Sequence, residues 1–334
     1  MSEKRLYGQF FTIANPFLNE AFLSWIENIP DIEHKKIIEP FAGSNNIVEL
    51  VQQLNPRGQS IYNNWSCFDI SPSTLNCVPE YPIQQLDTIT NFPNGYDIAI
   101  TNPPYLAKNS ATRRNLTYIG EPYDDLYKKA LSVMLEHCNY VAAIIPESFI
   151  TSNLFHDRLE KVVSLTCKMF DDTNCPVCLA MFSPVEETIP NDFIIYRNNR
   201  RLGTYQELKN YLFTNTYKKE IWKMNDKKGS IGVCCVDNCR EASIYFMPGE
   251  NINEKDIKIS SRAYTRISGL SNEIDKEVFI QKCNEKLLNY RTLTQDVFLT
   301  SFKGLRKDGC YRRRIDFKTI KSIMSEVLEE MEKN

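Results

Sequence analysis

The chain has 334 residues, of which 42% are hydrophobic and 25% charged, so it can form packed domains and is not intrinsically disordered. Its formal net charge of −2 excludes a uniformly basic nucleic-acid-coating protein, although it permits a local basic patch. No run of about 18 apolar residues and no secretory signal are present, so we expect a soluble protein of the cytoplasm.

The 11 cysteines are an odd number and are spread through predicted core segments. In an intracellular protein this favours reduced, buried thiols over a disulfide framework. Cys175 and Cys178 have a spacing found in zinc sites, but Cys234, Cys235 and Cys239 do not supply a matching second pair. We therefore predict no metal site.

The first predicted elements are an amphipathic helix that begins at Pro16 and a short apolar strand that ends at Glu39. The turn Pro40-Phe41-Ala42-Gly43 follows, and the next helix ends at Asn55-Pro56. A glycine turn between a strand and a helix lets a ligand approach the backbone closely, but it also occurs as a plain connection.

Two acids follow the next apolar segments. A strand over residues 65–68 ends in Asp69-Ile70, and Asp87 ends a short apolar stretch over residues 83–86. An acid that closes the second strand, about 20 to 30 residues after a glycine turn, is placed to accept hydrogen bonds from ribose hydroxyls. Asp69 could also cap a helix, and Asp87 could also cap a turn.

The apolar run over residues 96–101 predicts a buried parallel strand, and Asn102-Pro103-Pro104-Tyr105 follows it directly. Two successive prolines cannot continue a β-ladder, so they force a rigid, extended turn. A carboxamide, a carbonyl and an aromatic ring are thereby presented at the carboxyl end of a strand, where open α/β sheets bind ligands. Such a turn can hold a planar group by its exocyclic amine; the alternative is an ordinary strand-ending turn.

The chain then becomes polar and basic before the α/β pattern resumes. Residues 108–115, with Lys108, Arg113 and Arg114, lack periodicity and predict a mobile loop that could hold phosphate. Further helices are predicted over 124–138 and 153–161, and further strands over 140–145, 164–170 and 177–182.

The composition changes after Pro184, where the acidic, proline-flanked segment 184–190 predicts a domain boundary. Short, irregular β-like runs follow, and a final helix is predicted over 316–332. The stretch 302–314 holds six cations against one acid, with interleaved aromatic residues, which favours a nucleic-acid surface over a merely solvated face. The phosphate-binding candidates are Arg306, Lys307, Arg312, Arg313 and Arg314, with Arg262 and Arg266 as weaker candidates for the same surface.

In their order over residues 5–185, these blocks resemble the amino-group DNA methyltransferases that use S-adenosylmethionine and carry their recognition region after the catalytic domain. The family's (D/N/S)PP(Y/F/W) signature matches Asn102-Pro103-Pro104-Tyr105 without a change. Residues 8–12 look like the family's cofactor flap, and the block near Phe170 looks like the one whose aromatic ring stacks on the target base. The cofactor-binding residues that the resemblance implies are Phe11, Thr12, Glu39, Pro40, Phe41, Ala42, Gly43, Asp69, Ile70, Asp87 and Asn102.

Two departures from the family pattern both concern the cofactor. The usual glycine pair of the first motif is reduced to Gly43-Ser44-Asn45, and Asp87 is followed by Thr88 where the family commonly has an aromatic residue.

The resemblance implies an α/β protein with a Rossmann-like, mostly parallel catalytic domain over 1–185 and an irregular α+β target-recognition domain over 186–334. The implied reaction transfers a methyl group to N6 of an adenine flipped out of duplex DNA, in a bacterial or phage-encoded enzyme with or without a cognate restriction endonuclease. Asn102 and the Pro103 carbonyl would accept the N–H bonds of the amine, while Tyr105 and Phe170 would stack on the base.

Several alternatives remain open at this point. Cytosine N4, an RNA base or a protein glutamine amide could be the methyl acceptor, although asparagine rather than serine at position 102 favours adenine. In a different class, the chain could be a DNA-binding module whose catalytic motif is vestigial.

Overall fold

The computed structural model describes residues 12–54, 64–170, 175–238, 241–258, 260, 262–302 and 311–333. The chain divides after Tyr205 into two compact units. Three predicted site residues, Phe11, Arg306 and Lys307, lie outside the described residues.

The first unit contains nine strands and four helices among its described residues. The strands are β1 (Ile37–Glu39), β2 (Trp65–Asp69), β3 (Ile83–Gln85), β4 (Ile98–Thr101), β5 (Tyr140–Pro146), β6 (Leu159–Ser164), β7 (Val177–Phe182), β8 (Ile194–Arg197) and β9 (Arg200–Thr204). The helices are α1 (Glu20–Glu27), α2 (Asn46–Gln52), α3 (Lys108–Arg113) and α4 (Leu126–His137). A short helix, α5 (Tyr205–Lys209), spans the point of division.

The nine strands form one sheet in the order β3-β2-β1-β4-β5-β7-β6-β8-β9. The first five strands in this order, from β3 through β2, β1 and β4 to β5, all run parallel. Strand β7 runs antiparallel to both of its neighbours, β5 and β6, and β6 runs parallel to β8. The predicted α/β fold with a mostly parallel sheet is confirmed. The order of β1 to β5 places a switch point between β1 and β4, which is where doubly wound sheets bind their ligands.

The central strands are buried along nearly their whole length, as expected for parallel strands covered on both faces. Helix α1 packs against this core through Phe22, Trp25 and Ile26, each at most 1% exposed. Burial of each such side chain contributes roughly 1.5 to 3 kcal/mol. The Trp25 indole N–H donates to the Ser183 hydroxyl (3.0 Å), which ties α1 to the end of β7.

Three local predictions for this unit differ from the structure. Residues 153–158 form turns and β6 begins at Leu159, where a helix was expected, because β6 pairs with β7 and β8 over long sequence distances. Residues 165–169 continue past β6 without strand pairing. The expected mobile loop at 108–115 begins with α3, whose Ala111 is completely buried.

The first unit extends to Tyr205, beyond the boundary predicted at residue 185. The reason is that β8 pairs in parallel with β6, and β9 then pairs with β8, so residues 194–204 complete the large sheet.

The second unit has a four-stranded antiparallel sheet in the order β10-β13-β11-β12 and a separate hairpin of β14 and β15. Its strands are β10 (Lys223–Met224), β11 (Ile231–Cys234), β12 (Tyr245–Pro248), β13 (Tyr264–Ser268), β14 (Thr300–Phe302) and β15 (Arg312–Arg314). Its long helices are α6 (Lys276–Thr294) and α7 (Phe317–Lys333), close to the predicted final helix. One sheet face packs on both helices, with Val233, Phe246 and Ile323 among the buried residues. No helix among the described residues is long and apolar enough to cross a lipid bilayer.

Candidate active site

A cavity of about 300 Å³ lies at the carboxyl ends of β1, β2 and β4 in the first unit. Its volume is at the lower end of the range for small-molecule and cofactor sites. Nine of the predicted site residues line it: Thr12, Phe41, Ala42, Gly43, Asp69, Ile70, Asp87, Asn102 and Pro104. The described residues Glu39, Pro40, Pro103, Tyr105 and Phe170 are not part of its wall.

The turn after β1 is built by backbone hydrogen bonds to the end of β2. The Ala42 N–H donates to the Phe68 carbonyl (2.8 Å), and the Gly43 N–H donates to Oδ2 of Asp69 (2.9 Å). Gly43 has φ 54°, in the left-handed region that favours glycine. The turn thus depends on a backbone conformation that glycine adopts without strain.

The missing second glycine is replaced by Asn45, which has φ 63° and ψ 24°. Asparagine is one of the few other residues that adopt this left-handed conformation at low cost. Its buried side chain also donates to the Asn76 side-chain oxygen (2.9 Å) and to the Tyr81 carbonyl (2.8 Å). The departure from the glycine pair therefore leaves the turn geometry intact and adds bonds that fix it.

Asp69 is 4% exposed and faces the cavity from the end of β2. Its carboxylate accepts the Gly43 N–H and, through Oδ1, the Ser71 N–H (2.8 Å). Burial raises the pKa of Asp69 above its ordinary value, while the hydrogen bonds from Ser71 and Gly43 oppose that shift. A bound polar group that donates to this carboxylate would further favour its charged form.

Asp87 lines the cavity just after β3, and its Oδ1 caps a turn by accepting the Ile89 N–H (3.1 Å). Oδ2 has no hydrogen-bond partner within the described part of the chain. The neighbouring Thr88 hydroxyl donates to the Pro40 carbonyl (2.8 Å). Thr88, which stands where the family commonly has an aromatic residue, thus connects this loop to the turn after β1. Asp87 caps its turn through Oδ1 and keeps Oδ2 for a ligand.

Glu39 is fully buried beneath the cavity wall and was predicted as a cofactor ligand. Its Oε1 accepts the Phe41 N–H (2.9 Å) and the Thr101 hydroxyl, whereas Oε2 has no hydrogen-bond partner among the described residues. Burial raises the pKa of Glu39 to about 8 despite these bonds. In this arrangement Glu39 supports the two strand ends and does not line the ligand space.

Asn102 reaches the cavity from the end of β4. Its Oδ1 accepts the Tyr105 hydroxyl (2.7 Å), and its Nδ2 lies 3.4 Å from the Thr12 hydroxyl, at the long limit for a hydrogen bond. The Tyr105 hydroxyl also lies 2.6 Å from the Ile144 carbonyl. The Tyr105 hydroxyl thus lies between the carboxamide and β5, and its one hydrogen is donated to one of the two oxygens at a time.

Of the two rings predicted to stack on a base, Phe170 packs in the protein interior and Tyr105 is half-buried against the same core. Phe170 is fully buried, and the Tyr105 ring makes edge-to-face contacts with Phe170 (6.0 Å between centroids) and with Tyr127 (6.2 Å). Thr12 and Phe170 also form a β-bridge. The Phe170 ring is thus a core group in this conformation, and its stacking on a base stays a prediction.

Part of the cavity wall was not predicted. Leu116, Thr117 and Ile119, between α3 and α4, line the cavity together with Leu106 and Leu126. The segment is held at its base because the Lys108 N–H donates to the Asp124 carbonyl (2.9 Å) and the Leu126 N–H to the Leu106 carbonyl (3.1 Å). The sequence signal that could have indicated this wall is Ile119, an apolar residue within a polar loop. In the structure Ile119 is 45% exposed.

The predicted phosphate-binding residues occupy different environments. Lys108 forms an exposed ion pair with Glu121 (2.7 Å), and Arg113 and Arg114 are exposed at the end of α3. In the second unit, Arg262 is exposed above the Phe317 ring (5.3 Å). Half-buried positions on β15 are occupied by Arg312, Arg313 and Arg314.

Arg266 lies in a different environment from the other phosphate-binding candidates. It is 8% exposed on β13, and its guanidinium donates to the Gly249 carbonyl (2.6 Å), to the Lys227 carbonyl and to Glu254 (3.3 Å). These contacts tie its guanidinium to the backbone and to an acid of the second unit, and phosphate binding by Arg266 stays a prediction.

No protein-family model and no curated protein matches the chain. Among solved structures it is similar to the methyltransferase subunit of a type I restriction-modification system from Streptococcus thermophilus, with 12% identity over 58% of this chain and 49% of that one and a TM-score of 0.37. It is also similar to a DrdV–DNA complex (13% identity, 59% and 28% of the two chains, TM-score 0.44) and to the type IIG restriction endonuclease BpuSI (13%, 57% and 27%, 0.39). The chain thus spans about half or less of these proteins, and similarity at this level carries no conclusion about activity.

Proposed function

We propose that the chain is an S-adenosylmethionine-dependent methyltransferase that acts on the exocyclic amino group of a base in DNA, with N6 of adenine as the acceptor. The single observation that carries the proposal is that Asn102 shares one cavity with Asp69 and Asp87. In the sequence these three residues end separate β-strand segments, and the sheet brings them to the same ligand space.

The residues present fit the cofactor. Asp69 offers a carboxylate for ribose hydroxyls, and Oδ2 of Asp87 can accept from an adenine amino group. Phe41, Ile70 and Ile89 supply apolar wall for a heteroaromatic ring. When bound, S-adenosylmethionine supplies an electrophilic methyl group on a sulfonium.

The proposed task of Asn102 follows from the chemistry of an aryl amine, whose nitrogen lone pair is delocalised into the ring. If Oδ1 of Asn102 and the Pro103 carbonyl accept the two N–H bonds, the nitrogen can become pyramidal and recover its nucleophilicity. Oδ1 can do so while it accepts from Tyr105, because an amide oxygen has two lone pairs. Asn102 is neutral and is not a base, so the acceleration comes from positioning and electrostatics, and the proton leaves to solvent after transfer.

Duplex DNA requires that the target base be flipped out of the stack before it reaches such a cavity. The apolar wall of Leu116 and Ile119 is the surface we propose for it, since Phe170 is buried here. The association with a restriction-modification system, with or without a partner endonuclease, is part of the same proposal.

The test is to incubate the purified chain with duplex DNA and isotopically labelled S-adenosylmethionine, and then to digest the DNA and identify the labelled nucleoside. Labelled N6-methyladenine supports the proposal; N4-methylcytosine would change the acceptor, and a label on RNA or protein alone would reject DNA as substrate.

The matched variants are Asn102→Ala and, as a control, Asn28→Ala, an exposed asparagine at the end of α1. We expect Asn102→Ala to lose transfer while calorimetry shows that it still binds the cofactor. Full transfer by this variant would reject the assigned role of Asn102. A parent chain that binds DNA but neither binds nor uses the cofactor would instead be a non-catalytic module.

A further inference from the structure

The second unit carries a row of three side chains across three neighbouring strands. Cys234 on β11 is directly opposite Tyr245 on β12 and directly opposite Tyr264 on β13. Residues that are opposite one another in antiparallel strands project from the same face of the sheet. The two tyrosines therefore lie on one face, on either side of a cysteine that is 6% exposed.

This face is the one turned away from α6 and α7. Val233 and Phe246, which alternate with the row along their strands, are buried in the core that contains the helices. Cys234 belongs instead to a small cluster on the second face, where Met247, Ile252 and Ile257 are its neighbours.

The chain after β12 covers only part of this second face. Ile252 and Ile257 pack over Cys234 and Met247, and the Arg266 guanidinium binds the Gly249 carbonyl in the same region. At the row itself the covering ends, because the tyrosine side chains at 245 and 264 are 47% and 46% exposed. Two large rings are thus held on rigid strands and remain open to solvent.

A guanidinium lies near the row, because β15 runs along the continuation of β11: the Asp237 N–H donates to the Arg313 carbonyl (3.0 Å) and the Ile315 N–H to the Cys235 carbonyl (3.0 Å). The Arg312 guanidinium is close enough to lower the pKa of both Tyr264 and Cys234, against larger effects in the opposite direction. Asp237 is the acid that acts on Cys234, and Arg291 neutralises it through two hydrogen bonds (2.9 and 2.7 Å). Arg262 is exposed two residues before Tyr264.

We propose that Tyr245, Tyr264 and Arg312 form a contact surface for the sugar–phosphate backbone of DNA. The proposal rests on the function proposed above and assigns part of the second unit to DNA binding. Tyrosine hydroxyls and arginine guanidinia are common donors to phosphate oxygens, and such contacts position a protein on a duplex without reading its sequence. Tyrosine also loses little conformational freedom on binding, since its side chain has two rotatable bonds.

The ionisation state of Tyr264 agrees with this role. The neighbouring Cys234, followed by burial, raises the pKa of Tyr264 above its ordinary value. Its hydroxyl keeps its proton at neutral pH, as a tyrosine ordinarily does, and reaches an anion by exchanging its hydrogen bond to the Cys234 side chain. The partner expected from aromatic donors beside a guanidinium is a polyanion, and this chemistry favours DNA over an apolar protein surface.

The experiment measures binding of a fluorescently labelled random-sequence duplex by anisotropy, without cofactor, at several salt concentrations. The variants are Tyr245→Ala/Tyr264→Ala, Arg312→Ala, and Tyr211→Ala as a control that removes a similarly exposed tyrosine (43%) from the same unit. Circular dichroism and thermal unfolding establish that each variant is folded.

We expect the double tyrosine variant to bind about tenfold more weakly with an unchanged salt slope, since it removes contacts but no charge. Arg312→Ala should reduce the salt slope by about one, and Tyr211→Ala should bind like the parent chain. A folded double variant that binds the duplex as tightly as the parent would overturn the proposal and leave the row as a surface for another partner.

This outcome is separate from the test of catalysis. A parent chain that transfers methyl groups to DNA while the double variant binds normally would reject only the contact surface. A parent chain that binds DNA through this row but transfers no methyl group would reject only the enzymatic proposal.

Discussion

The Thr101 hydroxyl donates a hydrogen bond to Oε1 of Glu39 and so joins the end of β4 to the end of β1. The same oxygen accepts the Phe41 N–H (2.9 Å). One buried carboxyl group thus supports both the turn after β1 and the residue that directly precedes Asn102. With its pKa raised by burial to about 8, this group is neutral at pH 7 and makes these contacts without a buried charge.

The first prediction concerns the pH dependence of stability. Folding raises the pKa of Glu39 from 4.5 to about 8, so between these values the native chain keeps a proton that the unfolded chain releases. The resulting contribution to the free energy of unfolding is complete below pH 4.5 and is lost as the pH rises to about 8, at a slope of up to about 1.4 kcal/mol per pH unit. Glu39→Gln, which cannot ionise, should lack this decline in urea unfolding measured from pH 5 to 8.5.

A suitable control for Glu39→Gln is Glu49→Gln, which changes an exposed glutamate on α2 and should leave the pH dependence as it is in the parent. Equal pH dependence of the parent and Glu39→Gln would mean that Glu39 does not titrate in this range.

A second prediction follows from the contact between Tyr105 and Asn102. Tyr105→Phe removes the hydroxyl that lies 2.7 Å from Oδ1 of Asn102 and 2.6 Å from the Ile144 carbonyl, but it keeps the ring packing. If the hydroxyl positions the carboxamide, kcat for methyl transfer should fall roughly 10- to 100-fold, with cofactor affinity unchanged. Single-turnover rates and calorimetry would separate the two effects, and a parent-like rate would leave Tyr105 with a packing role alone.

The third prediction compares two substitutions of Asn45. Both Asn45→Gly and Asn45→Ala lose the hydrogen bonds to Asn76 and Tyr81, but alanine also has to adopt φ 63°. The left-handed conformation costs alanine roughly 1 to 2 kcal/mol. Glycine avoids this cost, but it loses about 0.5 to 1 kcal/mol more conformational entropy on folding than alanine does. Denaturant unfolding should therefore show Asn45→Gly to be more stable than Asn45→Ala, by up to about 1.5 kcal/mol.

The control for Asn45 is the same pair of substitutions at Asn28, where φ is −83°. There alanine should be at least as stable as glycine, because the backbone conformation imposes no penalty on it. The same order of stability at both sites would show that backbone strain does not account for the result at Asn45.

The residues that the sequence predicted well are those fixed by parallel-sheet topology. Strands that run parallel end at the same edge of the sheet, so a polar residue that closes β2 and one that directly follows β4 lie close together whatever the details of packing. Asp69 and Asn102 could therefore be assigned to one cavity from local patterns alone. The expected Rossmann-like sheet rests on the same logic and is observed.

The residues that it predicted poorly depend on contacts between distant segments. Glu39 also ends a strand, but its side chain turns inward to Thr101, a partner 62 positions away. The helix expected at 153–161 is overridden by the pairing of β6 with β7. The wall at Leu116 and Ile119 belongs to a loop whose path is set by bonds at its two ends, which no local pattern encodes.

The last prediction separates two arginines that are close in sequence and differ in environment. The Arg266 guanidinium is buried and donates to the Gly249 carbonyl and to Glu254. Arg266→Ala removes the donor from both acceptors, so it should destabilise the second unit by about 3 kcal/mol. Arg262 is exposed over the Phe317 ring, so Arg262→Ala should change stability by no more than about 1 kcal/mol. If it contacts a phosphate, its loss reduces the salt slope of duplex binding by about one. Urea unfolding and anisotropy titrations on both variants test this contrast, which a parent-like stability of Arg266→Ala would contradict.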